Sequence, residues 1–493
     1  MQLTQLVAGV CHRPGSGTMI SLRSIGNAIV FVTLGLAACA VVMSATFHSE
    51  STSDRVAQSR SLSAHGQDEM FTYHKTLFPP DGADVLCFTV AAAGLIVAAS
   101  GGIGGGGILV PLYMIFLRFR PKHAVALSNF TILGGAFANT ALNAPKLDEN
   151  GRALINWDII VMMEPATLAG TVLGSFASKY LADFVLMGFL AAVLAILSFR
   201  TLDKGLEMFH HENTRDAELQ AVPQHEDADM ADDFQHEASD VDDEPKESRN
   251  LVGDARLRTV GEGTPWLKVS LLVLCFMGCV VLTVLKGGGQ GSVVGVTCGS
   301  SSFWLLSWAQ LPWVLGFGLI FRDMLINENL DKEEDGHDFD ASEIRWTSAT
   351  TIRYPLLCSL AGILAGLFGV GGGIIKGPLM LELGVAPQVA SATAAAMILF
   401  TSMATAVSFQ VFGLLEPSYG SMCFMLGFCC TLLGHYIVHS FLQGAKRQSP
   451  PVLSIGCVMA VSTALLIVET IGRLYNMDFG KLIEPTSLCS IDE

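Results

Sequence analysis

Two short stretches hold the residues best suited to do chemistry. Gly102-Ile103-Gly104-Gly105-Gly106-Gly107-Ile108-Leu109-Val110-Pro111-Leu112 aligns without a gap on Gly369-Val370-Gly371-Gly372-Gly373-Ile374-Ile375-Lys376-Gly377-Pro378-Leu379. Glycine adopts positive φ freely and lets a ligand approach the backbone. In apolar surroundings a glycine tract breaks a helix and frees N–H and C=O groups, which lipid tolerates only where protein buries them or they line a cavity. A helix that restarts after such a break exposes unpaired N–H groups and about half a positive charge, so it suits an anion. Helices restarting near Ile108 and Ile374 would aim two such ends at the middle of a membrane, with Pro111 and Pro378 in the first turn, where a missing N–H costs little. Backbone amides near Gly104, Gly105, Gly106 and Gly107, and near Gly371, Gly372 and Gly373, are therefore the candidate substrate ligands. Close helix crossing alone needs single small residues, not a duplicated run of glycines followed by proline.

A few side chains add to this set. Lys376 follows the second break, while its repeat-mate is Leu109; it either lends charge to a bound anion or snorkels to the interface. Glu164 lies in the middle of an apolar run, before Pro165, and either carries a coupling proton or caps the backbone gap that the proline leaves. Ser128 and Asn129, with Ser391 and Thr393, sit on the small-residue helices that follow the breaks and are offered as further substrate contacts; such residues also hydrogen-bond between helices. A phosphate loop is excluded because no Ser or Thr follows Lys376 and the flanks are lipid-like. The sequence has no CxxC pair, no metal-ligand spacing and no Ser/His/Asp set, so neither an enzyme nor a metal or cofactor is expected.

The elements that must carry these residues are apolar helices. The chain has 493 residues, of which 51% are hydrophobic and 15% charged, and a mean hydropathy of +0.48. A bilayer core needs about 20 apolar residues per helix. Spans are expected at 26–46, 85–117 (broken), 123–144, 155–178, 180–198, 266–285, 302–321, 353–383 (broken), 387–412, 417–441 and 451–472. The fold class is thus all-α, a polytopic membrane protein with two internally repeated four-element helical units, each opening with a glycine-broken helix. The repeat extends beyond the breaks: Arg120–Ala126 answers Ala386–Ala392, with Pro121 and Pro387 at the expected helix starts. A broken element that crosses once makes the units parallel; one that doubles back makes them inverted. Charge placement leaves both open.

Division of the chain follows. Residues 1–46 read as a signal peptide or an N-terminal anchor, and 47–84 as a polar non-cytoplasmic segment. Repeat 1 covers 85–200 and repeat 2 covers 353–475; two linking spans and a polar loop fill 265–352, and a C-terminal tail occupies 476–493. Residues 201–264 form an acidic disordered loop: 207–249 carry fifteen Asp and Glu against Arg215, Lys246 and Arg249, which accounts for most of the net charge of −16. Basic residues are scattered, so no nucleic-acid partner is expected; the expected partners are a small anion and the lipid bilayer of a plasma membrane or endomembrane.

The run Ala361–Gly373, continuing through Lys376–Val385 and Pro387–Thr393, closely resembles the sulfite exporter TauE/SafE family. Gly102–Pro111, Trp266 and the Trp304–Pro312 region bring it nearest to the eukaryotic, plant-type members, over roughly 85–475. The resemblance implies a membrane protein that exports sulfite or small organosulfur anions, coupled to a proton gradient. The leading expectation is an alternating-access anion transporter with substrate between the two breaks. The alternatives are a non-transporting scaffold that recruits partners through its acidic loop, and a transporter of cations or neutral solutes that uses freed carbonyls.

Overall fold

The structure is a computed structural model and describes residues 77, 80–99, 106–148, 152–221, 265–287, 294–297, 299–334, 344–442 and 449–476. The expected span 26–46, the leader and most of the acidic loop lie outside the described residues, as do Gly104 and Gly105. The described chain is helical throughout: α1 (Gly82–Ala99), α2 (Gly106–Ile115), α3 (Pro121–Asn143), α4 (Trp157–Tyr180), α5 (Asp183–Ala221), α6 (Trp266–Lys286), α7 (Ser301–Glu334), α8 (Thr350–Phe368), α9 (Gly373–Glu382), α10 (Pro387–Val411), α11 (Pro417–Leu442) and α12 (Ser449–Asn476). Eight of these, α3 to α8 with α10 and α11, are long and apolar enough to cross a membrane, which makes the chain an integral, multi-pass membrane protein.

The sequence reading ended two helices too early. α5 runs on through Ala221, into the stretch read as disordered loop from residue 201, and α7 continues to Glu334, well past the expected end at 321. Neither extension contains proline, and both are rich in Leu, Met, Glu and Lys, which favour helix even where they leave the apolar slab.

Both breaks double the chain back. Cys87 Sγ lies 3.9 Å from the Leu112 carbonyl, while the Cβ position of Gly94, further along α1, lies 3.6 Å from Ile108, earlier in α2. α1 and α2 are therefore antiparallel. In the second unit α8 ends on Gly369, and positive φ at Gly369 (62°), Gly371 (75°) and Gly372 (67°) turns the backbone round. Gly372 then packs under Ala365 and Ala361, and Lys376 comes within electrostatic reach of Cys358, earlier in α8.

The centre is built from contacts between units. α3 and α10, each opened by a proline in its first turn, run antiparallel: Asn129 donates to the Ser402 carbonyl at 2.9 Å, and Ile132 and Ile398 both abut Gly371. α4 packs parallel to α8, where Cβ atoms at Gly170 and Gly174 would run into the Ser359 and Ile363 carbonyls, and one at Gly362 into the Thr167 carbonyl. α3 and α11 cross in the same manner at Gly134 and Gly427. These glycine contacts let helix backbones approach in the way small residues do in lipid.

Candidate functional site at the paired helix breaks

The two breaks meet. A Cβ at Gly106 would lie 2.9 Å from both Cα and O of Val370, and 2.5 Å from Ile132. Ser128, two turns into α3 and fully buried, stands between them with Oγ 3.4 Å from the carbonyls of Gly106 and Gly369. Its one proton serves one acceptor at a time. Gly107, the next residue, gives its carbonyl to Ser462 Oγ of α12 at 2.9 Å.

That last bond explains how Pro111 is accommodated. α2 restarts at Gly106, so Pro111 lies in its second turn and inside the helix, not in the first turn as expected. Its missing N–H is the natural partner of the Gly107 carbonyl four residues back, and the Ser462 hydroxyl takes that place. Hydroxyls thus reach carbonyls at the break: Ser462 that of Gly107, and Ser128 that of Gly106 or Gly369. The first amides of α2 and of α9 (Gly106, Gly107 and Gly373 among them) have no acceptor within their own helices.

Lys376 and Glu164 find each other. Lys376 Nζ lies 3.0 Å from Glu164 Oε2 and donates to Thr401 Oγ1 at 2.8 Å, and Thr401 donates to Glu164 Oε1 at 2.9 Å. All three side chains are inaccessible to solvent. The sequence reading named both charges but assigned them separate duties. Lys376 does not snorkel, and the Glu164 carboxylate bonds these partners across helices while Pro165 sits inside α4. Each member comes from a different helix: α4 of the first unit, α9 and α10 of the second.

A neutral cluster spans α2, α3 and α11. Tyr113 of α2 shares a 2.8 Å hydrogen bond with Thr131 of α3, and Cys423 of α11, fully buried, lies beside both.

The remaining candidates separate. Asn129 is fully buried beside the breaks, tied to the Ser402 carbonyl, with its Oδ1 left without a partner. Thr393 lies at the far end of α10, where its hydroxyl accepts from the Asn156 N–H at 3.0 Å; Ser391, half-buried, lies two residues nearer that end. Asn156 in turn caps α4 through the amides of Asp158 and Ile159. A cleft of about 240 Å³ opens there, lined by Arg152, Asn156, Glu328 and others, with Lys268 2.6 Å from both Asp158 and Glu328. Ser391 and Thr393 thus sit apart from the glycines. Thr401 and Ser402, which the sequence marks as hydroxyls apt to bond between helices, and Ser462, which it does not single out, hold the positions near the breaks. Among the described residues no group of His, Cys, Asp or Glu could hold a metal ion.

A multi-pass helical membrane protein with two doubled-back breaks meeting at a buried, charge-paired centre has the form of a membrane-transport protein. The family model described as "Sulfite exporter TauE/SafE" matches residues 86–231 and 259–463, and the chain belongs to that family. It is similar to "Sulfite exporter TauE/SafE family protein 5" of Arabidopsis thaliana, at 28% identity over 78% of this chain and 81% of the relative. Family protein 2 of the same plant is 28% identical over 75% and 79%, and family protein 1 is 27% identical over 80% and 84%. No solved structure matches the chain.

Proposed function

We propose that this protein is an alternating-access transporter of small anions, with sulfite or an organosulfur anion as cargo, bound where the breaks meet. The observation that carries the reading is the division of backbone groups there. Ser462 serves the Gly107 carbonyl and Ser128 serves that of Gly106 or Gly369 in turn, while the N–H groups at the two helix starts have no acceptor within their own helices and are offered to a ligand. Amides favour an anion; a site built on freed carbonyls would favour a cation. Opposed directions of α3 and α10 fit an inverted duplication, the architecture in which two halves rock about a shared site.

Glu164 would couple a proton to the cargo. With the carboxylate ionised, the Lys376 charge is already matched. A proton arriving on Glu164 Oε2 ends that match and leaves the ammonium for the anion, so proton and anion travel together. Sulfite flux into proteoliposomes, measured across a panel of sulfite, sulfate, taurine and chloride, tests the function. Saturable flux of one sulfur anion, stimulated by an inward proton gradient, is expected; flux equal to that of empty vesicles for every anion contradicts it. In Glu164→Gln the proton stimulation should vanish, and its persistence would remove Glu164 from the coupling step.

A further inference from the structure

We propose that a second anion station, built around Lys286, lies on the approach to the breaks from the membrane face where α3 begins; the idea rests on the transport reading above. Lys286 ends α6 with only 2% of its surface exposed. Its ammonium lies 4.1 Å from the centre of the Phe176 ring and 5.6 Å from that of Phe412, and it faces no carboxylate among the described residues. Lys179, 1% exposed, reaches the Phe412 carbonyl at 3.5 Å. Lys122, 3% exposed, donates to the Lys179 carbonyl at 2.9 Å and has Asp183 at 3.7 Å. Two buried ammonium groups, Lys286 and Lys179, thus meet at Phe412, the C-cap of α10, and Lys122 joins them through the Lys179 carbonyl.

Burying a cation is costly unless an anion or a ring face meets it, and ring faces supply only part of what water gave. A small diffusible oxyanion seated against Lys286 would supply the rest. The station is also on the way: Lys122 and Ser128 are six residues apart on α3, or about 9 Å along the helix axis, and Ser128 is the residue that touches both breaks. An anion released from the lysines has one short step to the amides of Gly106 and Gly373.

The test uses the purified full chain and sodium sulfate as probe. Lysine-directed reductive methylation, read by peptide mass spectrometry, reports access to Lys286 in the unaltered protein. Sulfate is expected to slow labelling of Lys286 at least fivefold while leaving Lys332, partly exposed on α7, unchanged. Equal labelling with and without sulfate overturns the station, as does no labelling in either case, because an ammonium that no reagent reaches can receive no anion. Protection by dihexanoyl phosphatidylglycerol but not by sulfate overturns it in favour of a lipid headgroup. In calorimetric titration Lys286→Gln should weaken sulfate binding about tenfold, while Lys286→Arg stays within about threefold of wild type; equal affinity in Lys286→Gln overturns the proposal. Sulfite flux is measured separately: protection by sulfate in a chain that carries no flux would retain the station and reject the transport reading.

Discussion

At the residue scale the account turns on three side chains that no solvent reaches. A buried ion pair is a weak source of net stability, because desolvation offsets most of the attraction, but removing one partner strands the other at a cost of about 3–5 kcal/mol. Glu164→Gln should retain part of the bonding through its amide, whereas Lys376→Met leaves a carboxylate with Thr401 alone. We therefore expect Lys376→Met to lose most folded protein in detergent, and Glu164→Gln/Lys376→Met to recover nearly wild-type unfolding behaviour. A double variant as unstable as the sum of the single ones would deny the coupling. The sequence made each charge visible, since an ionisable residue in an apolar run stands out. It did not show that they pair, because residues 164 and 376 are brought together only by the packing of α4 and α9 on α8 and α10. Ser462 was hidden for the same reason: a hydroxyl in a membrane helix looks alike whether it bonds its own backbone, as Thr405 does, or another helix's, as Ser462 does.

At the scale of elements, glycine does two different jobs, and the chain uses both. Gly369, Gly371 and Gly372 turn the backbone through positive φ. Gly170, Gly362, Gly134 and Gly427 instead let helices touch. Gly362→Ala should fold poorly, because its Cβ would run into the Thr167 carbonyl, while Gly188→Ala on α5, with nothing within 4 Å, should be neutral. Thermal unfolding of the two variants in detergent checks this; equal midpoints would mean that α4 and α8 do not pack as described. Ser462→Ala should cost about 1–3 kcal/mol, the penalty of a buried acceptor without a donor, since it strips the Gly107 carbonyl beside Pro111; an unchanged midpoint would show that another group fills the gap. The glycine tracts and proline starts were legible from type and spacing. Helix ends at Ala221 and Glu334 were not, because hydropathy marks where lipid ends rather than where the helix does.

At the scale of the whole molecule, the direction of the halves was the question that composition left open. The helices flanking each break run antiparallel, and so do α3 and α10, as the proposed inverted duplication requires. In the proposed mechanism two opposed units that meet at their breaks would make one site reachable from either face in turn, with a charged cluster (Lys376, Glu164, Thr401) and a neutral one (Tyr113, Thr131) giving it an unequal character. What stands at the meeting point is backbone, so substitution there should strike the cargo directly. Gly371 combines a φ of 75° with a Cβ position 2.9 Å from Ile132, and a methyl group there would both strain the turn and fill the space beside the amides. The measurement is initial sulfite flux in proteoliposomes for wild type, Gly371→Ala and Gly188→Ala at matched amounts of monodisperse protein. The account predicts at least a hundredfold loss in Gly371→Ala with Gly188→Ala unchanged; wild-type flux in Gly371→Ala would contradict it.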